Sequence, residues 1–334
     1  MKTILVTGAT GFLGRRLVEQ LKAADPEARL RLLCRAPSPF DQDPAVSVAR
    51  GDVTSPDDVS RAMEGCQQVY HLAGAVTREP KEPGWLYRLH VEGTRHVCEA
   101  ALRHGPQKIV AVSSSGTIAV SRAPVVHDEN AGYKHEIVGE WPYYLSKIFA
   151  EKLAISYADS RRLPIVVVNP SLLLGPGDDR GVSTGDIELF LQGQILATPS
   201  GGLSFVDVRD AAAGLIAAMR SGKPGQRYLL AGPNWTFRRL IETLAEIAGV
   251  RAPSRQLPLG ASLWGARLLR RLYPLAGKTY RLDEVSIKMS SLFWYCSSEK
   301  ARGELGFETR DPVDTLRVTV QEARARLSRG TRPS

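Results

Sequence analysis

The chain has 334 residues, 43% hydrophobic and 24% charged, ordinary for one large globular domain or two intimate ones. Its net charge is +9, from 44 Lys and Arg against 35 Asp and Glu, with a pI near 9.5. That excess favours anionic ligands such as phosphates. The basic residues are scattered, however, and zinc-finger spacing, RNA-binding aromatic signatures and basic leucine-zipper patterns are all missing, so no nucleic-acid partner is expected.

Short apolar runs alternate with amphipathic stretches through the first half. Strand patterns fall at 3–6, 29–34, 46–50, 68–72, 108–113 and 165–169, and helical ones at 12–24, 56–64, 85–103 and 143–159. This alternation predicts an α/β, doubly wound parallel sheet covered on both faces, with ligands outside the carboxyl ends of its strands. Residues 1–170 read as the dinucleotide-binding domain, including the helix at 143–159. Beyond Pro170 a Gly/Asp-rich loop leads into helix 187–192, strand 203–205, helix 207–220, strand 226–230 and helix 236–248. A Pro/Arg-rich connection, further helices and a polar tail follow. Residues 171–334 therefore read as a smaller C-terminal α/β substrate domain, with some elements returning to the main sheet. Cys34, Cys66, Cys98 and Cys296 are too widely spaced for a metal knuckle or a CxxC pair, so no metal is expected and the thiols read as reduced. With no signal region and no bilayer-length apolar run, the expected location is cytoplasmic.

The stretch "TGATGFLG" places Gly8, Gly11 and Gly14 between a strand and a helix. Glycines there let a pyrophosphate approach the backbone, and the helix N-terminus favours its charge. Thr7, Thr10, Phe12 and Leu13 line the same loop. The second strand ends in Arg35, where an acidic residue would hold a ribose 2′-hydroxyl and an arginine accommodates a 2′-phosphate. Arg35 thus favours NADP(H) over NAD(H), and Arg15 offers a second positive charge. Asp52 is a candidate acceptor for the adenine amino group, with Val53 packing on the ring. Leu72, Ala73 and Gly74 would let the adenosine ribose approach the backbone.

In "EWPYYLSKIFAEKLA", Tyr143 and Lys147 are four apart and share a helix face. An ammonium beside a phenol favours the phenolate, so Tyr143 is expected to have a lowered pKa and to act as general acid/base. The fifth strand ends in Ser113, Ser114 and Ser115, whose hydroxyls can stabilise charge on a substrate oxygen.

Together "TGATGFLG", "GDVTSP", "VYHLAG", "VEGT", "VSSSGT", "YYLSK", "VNPSLLLGPGD" and "FVDVRDAAAG" resemble the extended short-chain dehydrogenase/reductase superfamily. The likeness is to its dihydroflavonol-reductase-like, 3β-hydroxysteroid-dehydrogenase-like and hopanoid-associated-epimerase-like branch. The resemblance implies a Rossmann-type fold, with Tyr143 as acid/base, Lys147 on the nicotinamide ribose, and Ser115 orienting the carbonyl with Ser114 as fallback. Pro170 would lie against the nicotinamide and Ser171 on its carboxamide. The family's asparagine before "VEGT" is His90 here, which is expected to be structural. The implied activity is NAD(P)H-dependent transfer of hydride to a carbonyl, or from a secondary alcohol. The alternatives are a sugar or nucleotide-sugar epimerase/dehydratase that retains NAD and, lower, a non-catalytic nucleotide sensor.

Trp85, Tyr87, Tyr133, Trp141, Phe190, Phe293 and Trp294 suit a hydrophobic substrate. Arg180, Arg209 and Arg281 are the cations a nucleotide diphosphate would need. Residues 263–275 place Arg267, Arg270 and Arg271 on one helical face and Trp264, Leu268 and Leu272 on another. Packing on the helix's own domain is the expectation, with an anionic membrane surface as the alternative. A homodimer through the 85–103 and 143–159 helices is also expected from the resemblance.

Overall fold

The computed structural model describes residues 2–77, 82–276 and 282–329. Strands β1 (Thr3–Thr7), β2 (Arg29–Cys34), β3 (Val46–Arg50), β4 (Gln68–His71), β5 (Lys108–Val112), β6 (Ile165–Pro170) and β9 (Arg227–Leu230) form one parallel sheet in the order β3-β2-β1-β4-β5-β6-β9. This is the expected Rossmann-like α/β fold. Alternate residues of β1 serve opposite faces: Ile4 and Val6 join one apolar cluster, and Leu5 the other. Helices α1 (Phe12–Ala24) and α8 (Val208–Ser221) cover the first face. Helices α2 (Pro56–Met63), α4 (Gly93–His104) and α6 (Pro142–Arg161) cover the second. The strand order reverses between β1 and β4, which opens a crevice at their carboxyl ends.

A second, four-stranded sheet is built on β8 (Gly202–Asp207), which pairs with β7 (Leu172–Leu174), β10 (Asn234–Thr236) and β11 (Phe293–Trp294). Its core draws on α7 (Gly185–Leu191), α9 (Phe237–Ala248) and α13 (Pro312–Arg329). The expected polar tail is instead helix α13, which buries Leu316, Val320 and Ala323. The remaining helices are α3 (Pro83–Tyr87), α5 (His135–Val138), α10 (Leu259–Leu272), α11 (Glu284–Ser290) and α12 (Glu299–Leu305). α3 runs into α4 through a π-helical turn, Arg88–Glu92, a rare local geometry that clusters at functional sites.

The second half is tied onto the start of α1. Arg15 pairs with Asp179, and the Arg16 guanidinium donates twice to the Pro176 carbonyl, at 3.1 and 3.2 Å. Asp207, buried at the end of β8, accepts a bidentate pair of bonds from Arg209 and one from Thr315 of α13.

Candidate active site

The glycine turn has two separate causes. Gly8 has φ +75°, and a Cβ there would lie 2.6 Å from the Leu72 carbonyl carbon. At Gly14 a Cβ would lie 2.1 Å from Gly8 O. Both are demanded by the protein's own strand-to-helix crossing. At Gly11 a Cβ would meet only Gly8 O, at 3.3 Å, so the space over the helix start is open. Gly11 is the N-cap and offers no side-chain cap, which leaves the first-turn N–H groups of Phe12 and Leu13 without intrahelical acceptors. An open, uncapped N-terminus at the switch point fits a dinucleotide pyrophosphate.

Along the crevice, Arg35 is largely exposed and stands 3.7 Å from Asp52. Asp52 also accepts from the Thr54 backbone and hydroxyl. Val53 is buried against Gly93. At the far end, Pro170 closes β6, and the buried Ser171 hydroxyl has no hydrogen-bond partner among the described residues, an orphan that suits a nicotinamide carboxamide.

Pro142 starts α6 at its first turn, and the helix then carries Tyr143 and Lys147 to the ends of β4 and β5. Lys147 is buried, and its Nζ donates to Val112 O at 3.0 Å. Burial brings its pKa down to about 8, against the opposing pull of Glu151. Burial also pushes the Tyr143 phenol up to about 12, with a hydrogen bond to the Ser114 side chain as the opposing influence. The expected lowering of Tyr143 by Lys147 is not what this arrangement gives. The ammonium is engaged by a backbone carbonyl, and desolvation of the phenol dominates.

The geometry brings Ser114, not Ser115, to Tyr143. Ser115 is buried at the start of a 3₁₀ turn, Ser115–Thr117, with its side chain against the Cys296 thiol. Ser113 donates to Glu151 Oε2 at 2.5 Å.

Two buried histidines hold the β4 end in place. Ala75 N–H donates to His90 Nε2 (3.1 Å), so the proton sits on Nδ1 and goes to Ser146 Oγ (2.8 Å). Ser146 in turn donates to Tyr143 O (2.8 Å). Thr94 Oγ1 donates to His90 O, which makes it the acceptor for His71 Nε2–H. His71 Nδ1 accepts from Thr7 Oγ1, itself the acceptor of Ala73 N–H. Every polar atom of both rings is paired with the histidine neutral. Burial pushes His71 down to about 3 and His90 to about 2, with the Lys147 charge adding to both. A Cβ at Gly74 would lie 3.0 Å from His90 Nε2 and 3.4 Å from Lys147 Nζ. Between Lys147, His71, His90, Thr94, Ser113 and Glu151 lies a cavity of about 20 Å³, room for one water.

Sequence reasoning missed Glu151. Its buried carboxylate accepts from Ser113, Thr117 and Asn169 and pairs with Arg227 of β9 at 3.3 Å. The only signal was its position, one helical turn after Lys147.

The aromatic residues divide. Trp294 stacks on Tyr144 (centroids 5.1 Å, 27°), Trp141 lies 6.1 Å from Trp294, and Tyr144 packs edge-on to Tyr143 at 5.0 Å. This block stands over Gly116, where a Cβ would lie 2.3 Å from the Tyr144 ring. Phe293 pairs edge-on with Tyr295. Tyr133 is occupied by Glu151, Arg227 and Lys152, Phe190 is core, Trp85 packs against the α2/α4 cluster, and Tyr87 is at the surface. Those four were expected near substrate and lie elsewhere. Of the candidate diphosphate cations, Arg209 is held by Asp207, Arg180 is exposed, and Arg281 lies outside the described residues.

Residues 4–231 match the NAD dependent epimerase/dehydratase family. The chain belongs to that family. A relative named "Putative dihydroflavonol 4-reductase" from Synechocystis sp. is 34% identical, over 95% of this chain and 92% of the relative. "Sterol demethylase protein B" from Methylococcus capsulatus is 30% identical over 91% and 93%. Among solved structures, gox2253 superposes with a TM-score of 0.83 at 30% identity, covering 97% of this chain and 98% of that one. Members of this epimerase/dehydratase family are NAD(P)-dependent enzymes, and the uncapped α1 start and orphaned Ser171 hydroxyl are where such a coenzyme fits.

Proposed function

We propose that the chain is an NAD(P)H-dependent oxidoreductase acting on the carbonyl, or the corresponding secondary alcohol, of a hydrophobic small molecule, with Tyr143 as general acid/base. The observation that carries this reading is the half-buried Tyr143, its phenol paired with Ser114 and one turn from Lys147. A phenol raised to about 12 is protonated at neutral pH, which suits donation to a carbonyl oxygen. Ser114 donates to the same oxygen as negative charge develops on it. Lys147 holds the nicotinamide ribose hydroxyls. The coenzyme, when bound, supplies the hydride to the carbonyl carbon.

Gly8, Thr10, Gly11, Phe12 and Leu13 hold the pyrophosphate. Asp52 and Val53 border the adenine, and Leu72, Ala73 and Gly74 border the ribose. Ser113 backs the nicotinamide end, and Pro170 and Ser171 hold the nicotinamide itself. Arg35, exposed at the end of β2, takes a 2′-phosphate, so NADP(H) is favoured over NAD(H). The Tyr144–Trp294–Trp141 block beside Tyr143 favours an apolar substrate, in keeping with the relative named "Putative dihydroflavonol 4-reductase". Engagement of Arg209 by Asp207 weighs against a nucleotide diphosphate. In functional terms residues 1–170 hold coenzyme and 171–334 mostly hold substrate. α4 and α6, with exposed Tyr87, Leu102 and Phe149 alongside, form a homodimer face, and the cytoplasm is the assigned compartment.

The test is titration with NADPH and NADH in wild type and Arg35→Ala. Tighter NADPH binding that collapses in the variant is the expected result. Equal affinities with stoichiometric copurified NAD would move the chain to the epimerase/dehydratase reading.

A further inference from the structure

Helix α10 carries two apolar faces, and one is uncovered. Leu263, Ala266, Leu269 and Tyr273 pack with Ile287 of α11. That meets the expectation of packing on its own domain, but through a different face from the one expected. Trp264, Leu268 and Leu272, spaced four apart, form a second stripe centred about 200° round the helix from Ala266. They are 69%, 40% and 47% exposed. Leu257 and Leu259 at the entry to α10 are exposed too. Gln256 pairs with Thr198, which brings the segment of exposed Leu196 alongside.

The chain segment that carries this stripe has charge of one sign, and the nearby carboxylate Glu284 of α11 is taken by Arg267. From Arg251 to Arg281 the sequence holds seven basic residues and no acidic one, in a chain whose whole net charge is +9. Arg267 is paired with Glu284 at 2.9 Å. Arg270 and Arg271 are exposed, and Arg271 stands about 60° from Leu268 at the edge of the stripe. A surface that is merely solvated mixes its signs. A second copy docking through this face would set arginine against arginine, with no carboxylate on α10 to neutralise them. An anionic bilayer supplies both missing partners, apolar depth and negative headgroups.

We propose that α10 is a peripheral membrane-docking helix, its Trp264–Leu268–Leu272 stripe entering the headgroup boundary of an anionic lipid surface with Arg271 on the phosphates. The insertion is shallow, and the indole of Trp264 is suited to that depth. α10 packs on α11, whose Met289 carbonyl accepts from Trp294 Nε1, and Trp294 stacks on Tyr144 beside Tyr143. α10 is thus joined to the aromatic block through α11. The inference does not depend on which reaction the site performs.

The experiment is co-sedimentation of the full chain with phosphatidylcholine vesicles, with and without phosphatidylglycerol, at constant salt. Binding to the anionic vesicles at least about tenfold above the neutral ones is expected. So is a blue shift of tryptophan emission that is lost in Trp264→Phe. The variants Trp264→Ser/Leu268→Ser and Arg271→Glu change only exposed residues, and each should weaken binding about tenfold. Three results would overturn the proposal. One is equal or no binding to the two vesicle types. Another is unchanged binding by the serine variant, which would leave charge alone. The third is conversion of a dimer to a monomer by the serine variant, seen in light scattering, without vesicle binding.

Discussion

The Glu151 carboxylate and the Arg227 guanidinium stand 3.3 Å apart, joining the helix that carries Tyr143 to the last strand of the main sheet. The Glu151 side chain is fully buried and that of Arg227 is 16% exposed. Removing one partner strands the other charge in a low-dielectric interior. Glu151→Gln or Arg227→Gln should each cost about 3–5 kcal/mol in urea unfolding. The double variant should cost less than the sum, and additive losses would show that the two groups are not coupled.

The three consecutive serines should separate by kinetics. Tyr143→Phe is expected to lower kcat by about 10²–10⁴-fold with coenzyme affinity retained. Ser114→Ala should lose about 10²-fold or more. Ser115→Ala, whose side chain faces Cys296, should keep turnover within a small factor of wild type. A reversed order for the two serines would refute the geometry around Tyr143.

Reduction should weaken in alkali because of Lys147. Its ammonium, brought down to about 8 by burial, is present below that pH and lost as pH rises through it. Tyr143, near 12, stays protonated over the same range and adds no limb of its own. The profile of kcat/KM for the coenzyme should therefore fall above pH about 8. An unchanged limb in Lys147→Arg, where the replacement does not titrate, would assign it to another group.

Stability should fall in acid because of His71 and His90. Both are neutral when folded, near 3 and 2, and take up protons near the ordinary 6.5 when unfolded. The unfolded chain binds more protons in that window, so the contribution is complete above about pH 6.5 and is lost as pH drops. At pH 5 the loss is about 2 kcal/mol for each histidine. Unfolding measured at pH 7.5 and 5 should show a smaller drop in His90→Asn, and identical drops would exclude His90 as a contributor.

Much of this was legible in sequence because it depends on local periodicity. The first six strands and four long helices follow from runs of buried β-branched and aliphatic residues and from helical spacing, and Tyr143 and Lys147 converge because four residues is one helical turn. What was not legible depends on chain segments far apart. Short strands such as Leu172–Leu174 and Phe293–Trp294 exist because β8 gives them an edge. Glu151 resembles any helical glutamate until Asn169 and Arg227 arrive from β6 and β9. The choice between Ser114 and Ser115 is made by the 3₁₀ turn, which directs one hydroxyl to Tyr143 and the other to Cys296. Two of the three glycines serve the chain's own close crossing, a requirement the motif does not announce.

From Pro83 to His104 the chain is one continuous rod with a π turn at Arg88–Glu92, and a π turn holds one residue more than an α turn. The surplus lies within Arg88–Glu92. Deleting one residue inside 88–92 would restore regular winding and rotate everything before it by about 100° relative to α4. Deletions at 75–82 would leave that phase untouched. α4 is fixed to the sheet by Val97, Cys98 and Ala101, so the rotation would fall on Trp85 and Tyr87 of α3. Single-residue changes of length at one turn are therefore a route by which homologous chains can re-aim α3 while α4 and the sheet stay where they are.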